Sequence, residues 1–253
     1  MDAQLATFAW AAAPLHGLET VALTSLCYVG AALAAKAYCD ARPPRTASGP
    51  SLLLAAHSAV LCAASLVMCV GAVRAVLQRG EEEGSFAFFF CENDRPAPRL
   101  YAWAYFYYIS KYYELLDTFL PVLVHGRVPR HFGMHVFHHG AVLFMAWGYV
   151  EYRQTLAFGG LVANTGVHVV MYAYYARAAL KLETRWKKYV TYVQILQFSV
   201  SFLLLAVSCS GAFGPVRSCS GVRALAGNCA FNAALLYLFF GVLGASTQKR
   251  KAA

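Results

Sequence analysis

The chain has 253 residues; 59% are hydrophobic and only 13% charged, against about 25% charged in soluble domains. That balance excludes an ordinary water-soluble domain. The formal net charge is +9, but no basic run is interleaved with aromatics in the way that tracks a nucleic-acid strand, so a nucleic-acid partner is not expected.

Charged and Pro/Gly clusters divide the chain into seven apolar stretches, approximately 18–38, 51–77, 100–124, 133–150, 155–176, 188–210 and 225–245. A membrane-spanning helix needs roughly 20 apolar residues, and a lone strand cannot satisfy its backbone in lipid. The expected fold is therefore an all-α membrane protein of seven transmembrane helices in a single polytopic domain over 1–253. No basic stretch precedes the first span, and Asp2 is the only charge before Glu19, so that span is read as an uncleaved anchor. His16 near the N-terminus and His57 in the second stretch stand alone and read as structural. The segment 41–50, with Pro43, Pro44 and Pro50, is a short connector.

The third stretch carries Lys111, Glu114 and Asp117-Thr118 at helical spacing, on one stripe. A cation and two carboxylates in lipid require pairing or a polar cavity; an interhelical ion-pair staple would also account for them. The fourth opens on His135-Val136-Phe137-His138-His139, where spacings of three and four put the imidazoles on one face. In the fifth, Asn164, His168, Tyr172 and Tyr175 share a face. In the sixth, Thr191, Gln194 and Gln197 recur every three residues, a spacing that also suits interhelical glue. One polar cavity between adjacent helices would receive all four stripes.

Topology follows from Lys and Arg. With the N-terminus outside, the inner loops and tail hold thirteen basic residues, including Arg127, Arg130, Arg185, Lys187, Lys188 and Lys249–Lys251, against seven outside. The C-terminus is then cytosolic. Lysines three and five residues from the end match a dilysine retrieval signal of the endoplasmic reticulum, or ordinary basic flanking. Cys91 and Cys219 fall in outer loops and can pair, with Cys209 and Cys229 as competitors.

Two chemistries use such a cavity. Imidazoles suit iron or zinc, as in membrane desaturases and hydroxylases, but those enzymes need further histidine boxes, and only His125, His131 and His168 remain. The other is acyl chemistry with histidine as base or nucleophile, oriented by Glu114, Asp117 or Asn164. A non-catalytic scaffold or lipid transporter is a third reading.

The motifs KxxExxDT (111–118), HxxHH (135–139), HxxMYxYY (168–175, after Asn164) and TxxQxxQF (191–198) stand in one order. The chain thereby resembles the ELO family of very-long-chain fatty acid elongases, the membrane 3-ketoacyl-CoA synthases. It departs from the family at Thr165, often Ser, and at 241–246, where aromatic residues are usual; these bear on acyl-chain fit rather than chemistry. The resemblance implies seven helices, six forming a barrel around an acyl-chain tunnel closed at one end. It implies condensation of a long-chain acyl-CoA with malonyl-CoA to 3-ketoacyl-CoA, CO2 and CoA, through an acyl-imidazole on His138. His135 and His139 would position that histidine, and His168 and Asn164 would act on the malonyl thioester. Lys111, Glu114, Asp117, Tyr172, Tyr175, Gln194 and Gln197 would support the site, and Lys187 and Lys188 would meet CoA phosphates. Also implied are a Cys91–Cys219 disulfide, no metal or cofactor, and an endoplasmic reticulum membrane location. Expected partners are membrane lipids, the reductases and dehydratase of the elongation cycle, and a second copy of the chain.

Overall fold

A computed structural model describes residues 2–43, 49–93 and 95–251, with side chains over 4–43, 49–93 and 95–243. These residues form helices and turns and no strand: α1 Asp2–Ala6, α2 Leu18–Asp40, α3 Leu52–Glu83, α4 Ala87–Phe90, α5 Pro98–Glu114, α6 Leu116–His125, α7 Phe132–Glu151, α8 Ala157–Ala179, α9 Lys187–Cys209 and α10 Val222–Lys251. The proposed retrieval signal runs into Ala252 and Ala253, which lie outside the described residues.

Each apolar stretch is helical. Four helices, α2, α3, α9 and the 222–243 part of α10, are long and apolar enough to cross a membrane by length and composition. α7 and α8 are comparable in length, at 20 and 23 residues, but their histidines and other polar groups dilute the apolar run.

Three boundaries differ from the hydropathy pattern; one is the end of α10, which runs six residues past the expected 245 to Lys251. α3 starts at Ser51, whose Oγ accepts the Leu54 N–H at 3.3 Å, and runs six residues beyond the expected end to a Gly84 cap at φ 63°. It can continue because the buried Arg79 is paired, with Glu83 one turn on at 2.7 Å and with Glu92 at 2.8 Å. The third stretch is broken in two at Leu115. Backbone bonds there tighten to i→i+3 spacing, Leu115 N–H to Tyr112 O at 3.3 Å and Thr118 N–H to Leu115 O at 3.2 Å. Pro121 lies inside α6; it has no N–H to give the Asp117 carbonyl and its ring crowds that carbonyl, so a straight helix is disfavoured here.

α3 and α8 pack antiparallel over their length. Ser51 N–H bonds Ala179 O at 2.9 Å, and the thiols of Cys62 and Cys69 lie 3.4 and 3.8 Å from the carbonyls of Val169 and Val162. Thiols reach backbone because Ala55, Ser58, Cys62, Ser65, Cys69 and Ala72 recur every three or four residues, a small-residue seam that admits close approach. From α3 the packing runs to α5, then α7, α10, α9 and back to α8, so the series closes on itself; α2 packs outside on α7 and α6.

At one end three loops are knit together. A disulfide joins Cys91 and Cys219 across 128 residues, with Cα atoms 5.0 Å apart, while Cys209 and Cys229 are free. Ser220 N–H bonds Glu92 O, and Thr155 N–H bonds Ser220 O, both at 3.0 Å. Gly221, at φ 65°, is required here: a Cβ would lie 2.5 Å from Gln154 Cα. The N-terminal segment covers the same end of α5 and α7. Trp10 donates to Glu151 at 2.7 Å, and Tyr108 and Trp147 donate to the Leu15 and His16 carbonyls at 2.7 Å.

Candidate active site

The site is assembled around the break between α5 and α6. On the α5 side, Lys111 and Glu114, each 1% exposed, form an i,i+3 ion pair at 2.7 Å. Lys111 Nζ also lies 4.2 Å from the centre of the Tyr107 ring. α8 reaches the same pair from the opposite wall. Asn164 Oδ1 accepts from Tyr107 OH at 3.0 Å and from Lys111 Nζ at 3.3 Å, and His168 Nδ1 lies 3.6 Å from Glu114 Oε1. Gln197 of α9 joins this group, its Oε1 accepting from Asn164 Nδ2 at 3.5 Å. Glu114 Oε2 is buried and has no hydrogen-bond partner among the described residues.

The first turn of α6 ties four helices through two adjacent residues. Asp117 accepts from His57 Nε2 of α3 at 2.8 Å and from Tyr172 OH of α8 at 2.6 Å. Thr118 shares hydrogen bonds with Tyr28 of α2 at 2.8 Å and His135 Nε2 of α7 at 2.9 Å. Neighbouring residues on a helix point about 100° apart, so the Asp-Thr pair serves two pairs of walls.

The α7 imidazoles form one group. The His135 and His139 rings are 4.4 Å apart, and those of His138 and His139 5.2 Å apart. His138 also lies along Phe231 of α10, with ring centres 5.9 Å apart. His138 Nδ1 and His139 Nδ1 are buried without a hydrogen-bond partner among the described residues. Among the described residues, no three His, Cys, Asp or Glu side chains group as a metal site.

Several expected residues lie apart from this cluster. The Tyr175 ring lies 6.1 Å from that of Tyr172, and Gln194 donates to Met171 Sδ at 3.5 Å. Lys187 and Lys188 are exposed in the first turn of α9. The sequence reading missed His57, Tyr28 and Tyr107, which bond to Asp117, Thr118 and Asn164. For His57 the sequence offered no local signal, since its partner Asp117 lies 60 residues away.

Residues 14–252 match the family model described as ELO: GNS1/SUR4 family. The chain belongs to this family. Among its ELO relatives is fatty acid elongase sre1 of Dictyostelium discoideum, 31% identical over 78% of this chain and 73% of the relative. Fatty acid elongase A of the same organism is 32% identical over 57% of this chain and 51% of its own length. A candidate fatty acid elongase of that organism is 42% identical over 56% of this chain and 47% of its own length. The chain spans about half the length of the last two relatives.

Proposed function

We propose that this ELO-family chain is a condensing enzyme of fatty acid elongation, joining a long-chain acyl-CoA to malonyl-CoA. The observation that carries the reading is convergence: three of the four motif segments meet around the break between α5 and α6, and Gln197 of the fourth reaches them through Asn164. The family's relatives are named fatty acid elongases. The closed series of helix contacts supports a six-helix barrel with α2 outside it and an acyl chain within. Each buried CH2 would contribute about 0.8 kcal/mol to holding that chain.

In the first half-reaction, neutral His138 attacks the acyl thioester carbon. A C–N bond forms, the C–S bond breaks, and CoA leaves with the imidazole proton. In the second, malonyl-CoA loses CO2, and the electron pair of that C–C bond becomes an enolate. The enolate carbon attacks the acyl carbon and the C–N bond breaks. The freed imidazolate takes up a proton, so one proton is consumed per cycle. Asn164 and His168, held beside Lys111 and Glu114, would steady the enolate oxygen; preorganised donors of this kind often supply the largest catalytic contribution.

The protein would sit in the endoplasmic reticulum membrane with its C-terminus cytosolic. CoA phosphates would meet Lys187, Lys188, Arg127, Arg130 and Arg185, and the product would pass to the reductases and dehydratase of the cycle.

Purified protein given an acyl-CoA panel and labelled malonyl-CoA should yield labelled 3-ketoacyl-CoA. With acyl-CoA alone it should release CoA and carry an acyl adduct on His138 by mass spectrometry. No labelled product with any acyl-CoA would overturn the activity. Product without adduct or free CoA would replace the acyl-imidazole by direct condensation.

A further inference from the structure

We propose that His57, outside every motif of the site, is a positioning residue for the condensation half-reaction; this rests on the condensing activity proposed above. His57 is 6% exposed on α3, and its Nε2 meets Asp117 Oδ1 at 2.8 Å. Asp117 uses its other oxygen to accept from Tyr172 OH at 2.6 Å. The Tyr172 ring stands edge-on to His168, 5.3 Å between centres and 88° between planes. A continuous line therefore runs from His57 through Asp117 and Tyr172 to the imidazole beside Glu114.

A carboxylate accepts only, so the His57 nitrogen facing Asp117 bears the proton. The other nitrogen, Nδ1, is buried without a hydrogen-bond partner among the described residues. His57 supplies Asp117 with one hydrogen bond. The Tyr113 ring, 5.0 Å away, holds the imidazole plane. The bonds to His57 and Tyr172 fix the Asp117 carboxylate in the plane that suits the tyrosine. Without His57 one carboxylate oxygen loses its donor, the carboxylate is free to turn, and Tyr172 and His168 lose their shared reference.

The acylating side reaches the same helix turn by a different residue. His135 is held by Thr118, and His138 and His139 follow His135 on α7. Loss of His57 should therefore separate the half-reactions. His57→Ala should release CoA from acyl-CoA within about threefold of the wild-type rate. Its condensation kcat should fall by about 100-fold, the scale of an ångström-level misplacement, with little change in KM for malonyl-CoA. His57→Gln, which restores a hydrogen-bond donor to Asp117, should recover most of the lost kcat.

The experiment is to measure both half-reactions, with melting temperature, for wild type, His57→Ala, His57→Gln and Tyr172→Phe. Tyr172→Phe removes the next bond in the line and should show the same selective loss; it gives the same answer if His57→Ala does not fold. Wild-type condensation in a His57→Ala or Tyr172→Phe protein would overturn the inference, as would equal loss of both half-reactions. Failure of the wild type to condense would instead overturn the underlying activity.

Discussion

Glu114 shows how much one residue carries. Its carboxylate balances Lys111 at 2.7 Å, receives Ser110 Oγ at 3.2 Å and stands 3.6 Å from His168 Nδ1, all in a 1% exposed position. Glu114→Gln leaves Lys111 charged and unpaired in a low-dielectric interior, a change of roughly 3–5 kcal/mol. The melting temperature in detergent should fall along with condensation activity. An unchanged melting temperature with a dead enzyme would instead make the carboxylate a direct base. At this scale the sequence was legible where polar residues share a local period. Lys111, Glu114 and Asp117 advertise a stripe, and three histidines within five residues advertise a face. His57 does not: its partner is remote in sequence, and a lone imidazole among apolar neighbours looks the same whether it fills space or holds a carboxylate. Tyr28 and Tyr107 were hidden among aromatic residues common in such helices.

Hydropathy located the long elements to within a few residues, except at the ends of α3 and α10 and at the break in the third stretch. It stopped α3 short of Arg79, because composition counts a cation as an end and cannot see Glu92 across the loop. It also read the third stretch as one helix, although Pro121 was in plain view; a proline so near the end of an apolar run often marks only its boundary. The break has a function if the site is read correctly. Straightening α5 and α6 would rotate Asp117 and Thr118 relative to Glu114 and separate partners on α2, α3, α7 and α8. Pro121→Ala restores an N–H for the Asp117 carbonyl and removes the ring clash. Stability should hold or rise, while condensation falls at least tenfold. Wild-type turnover in a stable Pro121→Ala protein would show that the break is incidental to catalysis. The α3–α8 seam allows a purely structural contrast. Ser65, 1% exposed, sits in the small-residue row, and Ser65→Leu should overpack it at about 1–3 kcal/mol. A Ser65→Leu protein with an undiminished melting temperature would show that the seam has slack.

Across the whole molecule, the sequence disclosed how many apolar stretches there are and which carry polar groups. The order in which helices meet was not readable, because lipid-facing and helix-facing residues are equally apolar. The helices meet in the order α3, α5, α7, α10, α9, α8; the small-residue seam of α3 accounts for its contact with α8. The far end of the bundle is held by different means. The Cys91–Cys219 disulfide closes 128 residues of chain, and Glu92, next to Cys91, is paired with the buried Arg79. Ser220, next to Cys219, bonds both Glu92 and Thr155 through its backbone. Bond and network clamp the same three loops, so the disulfide constrains the unfolded chain more than it shapes the folded one. The chain-entropy account gives up to about 4–5 kcal/mol for a loop of this length, and measured values often fall below it. Cys219→Ser should therefore fold with its helix content intact, expose a free thiol at Cys91, and melt well below the wild type. Condensation at temperatures beneath that melting point should change little, since Asp117 and the histidines are tied by other bonds. Alkylation of both Cys91 and Cys219 in the native, non-reduced protein would sink the disulfide. Loss of helix content in Cys219→Ser would show instead that the Arg79–Glu92 network cannot hold the loops without it.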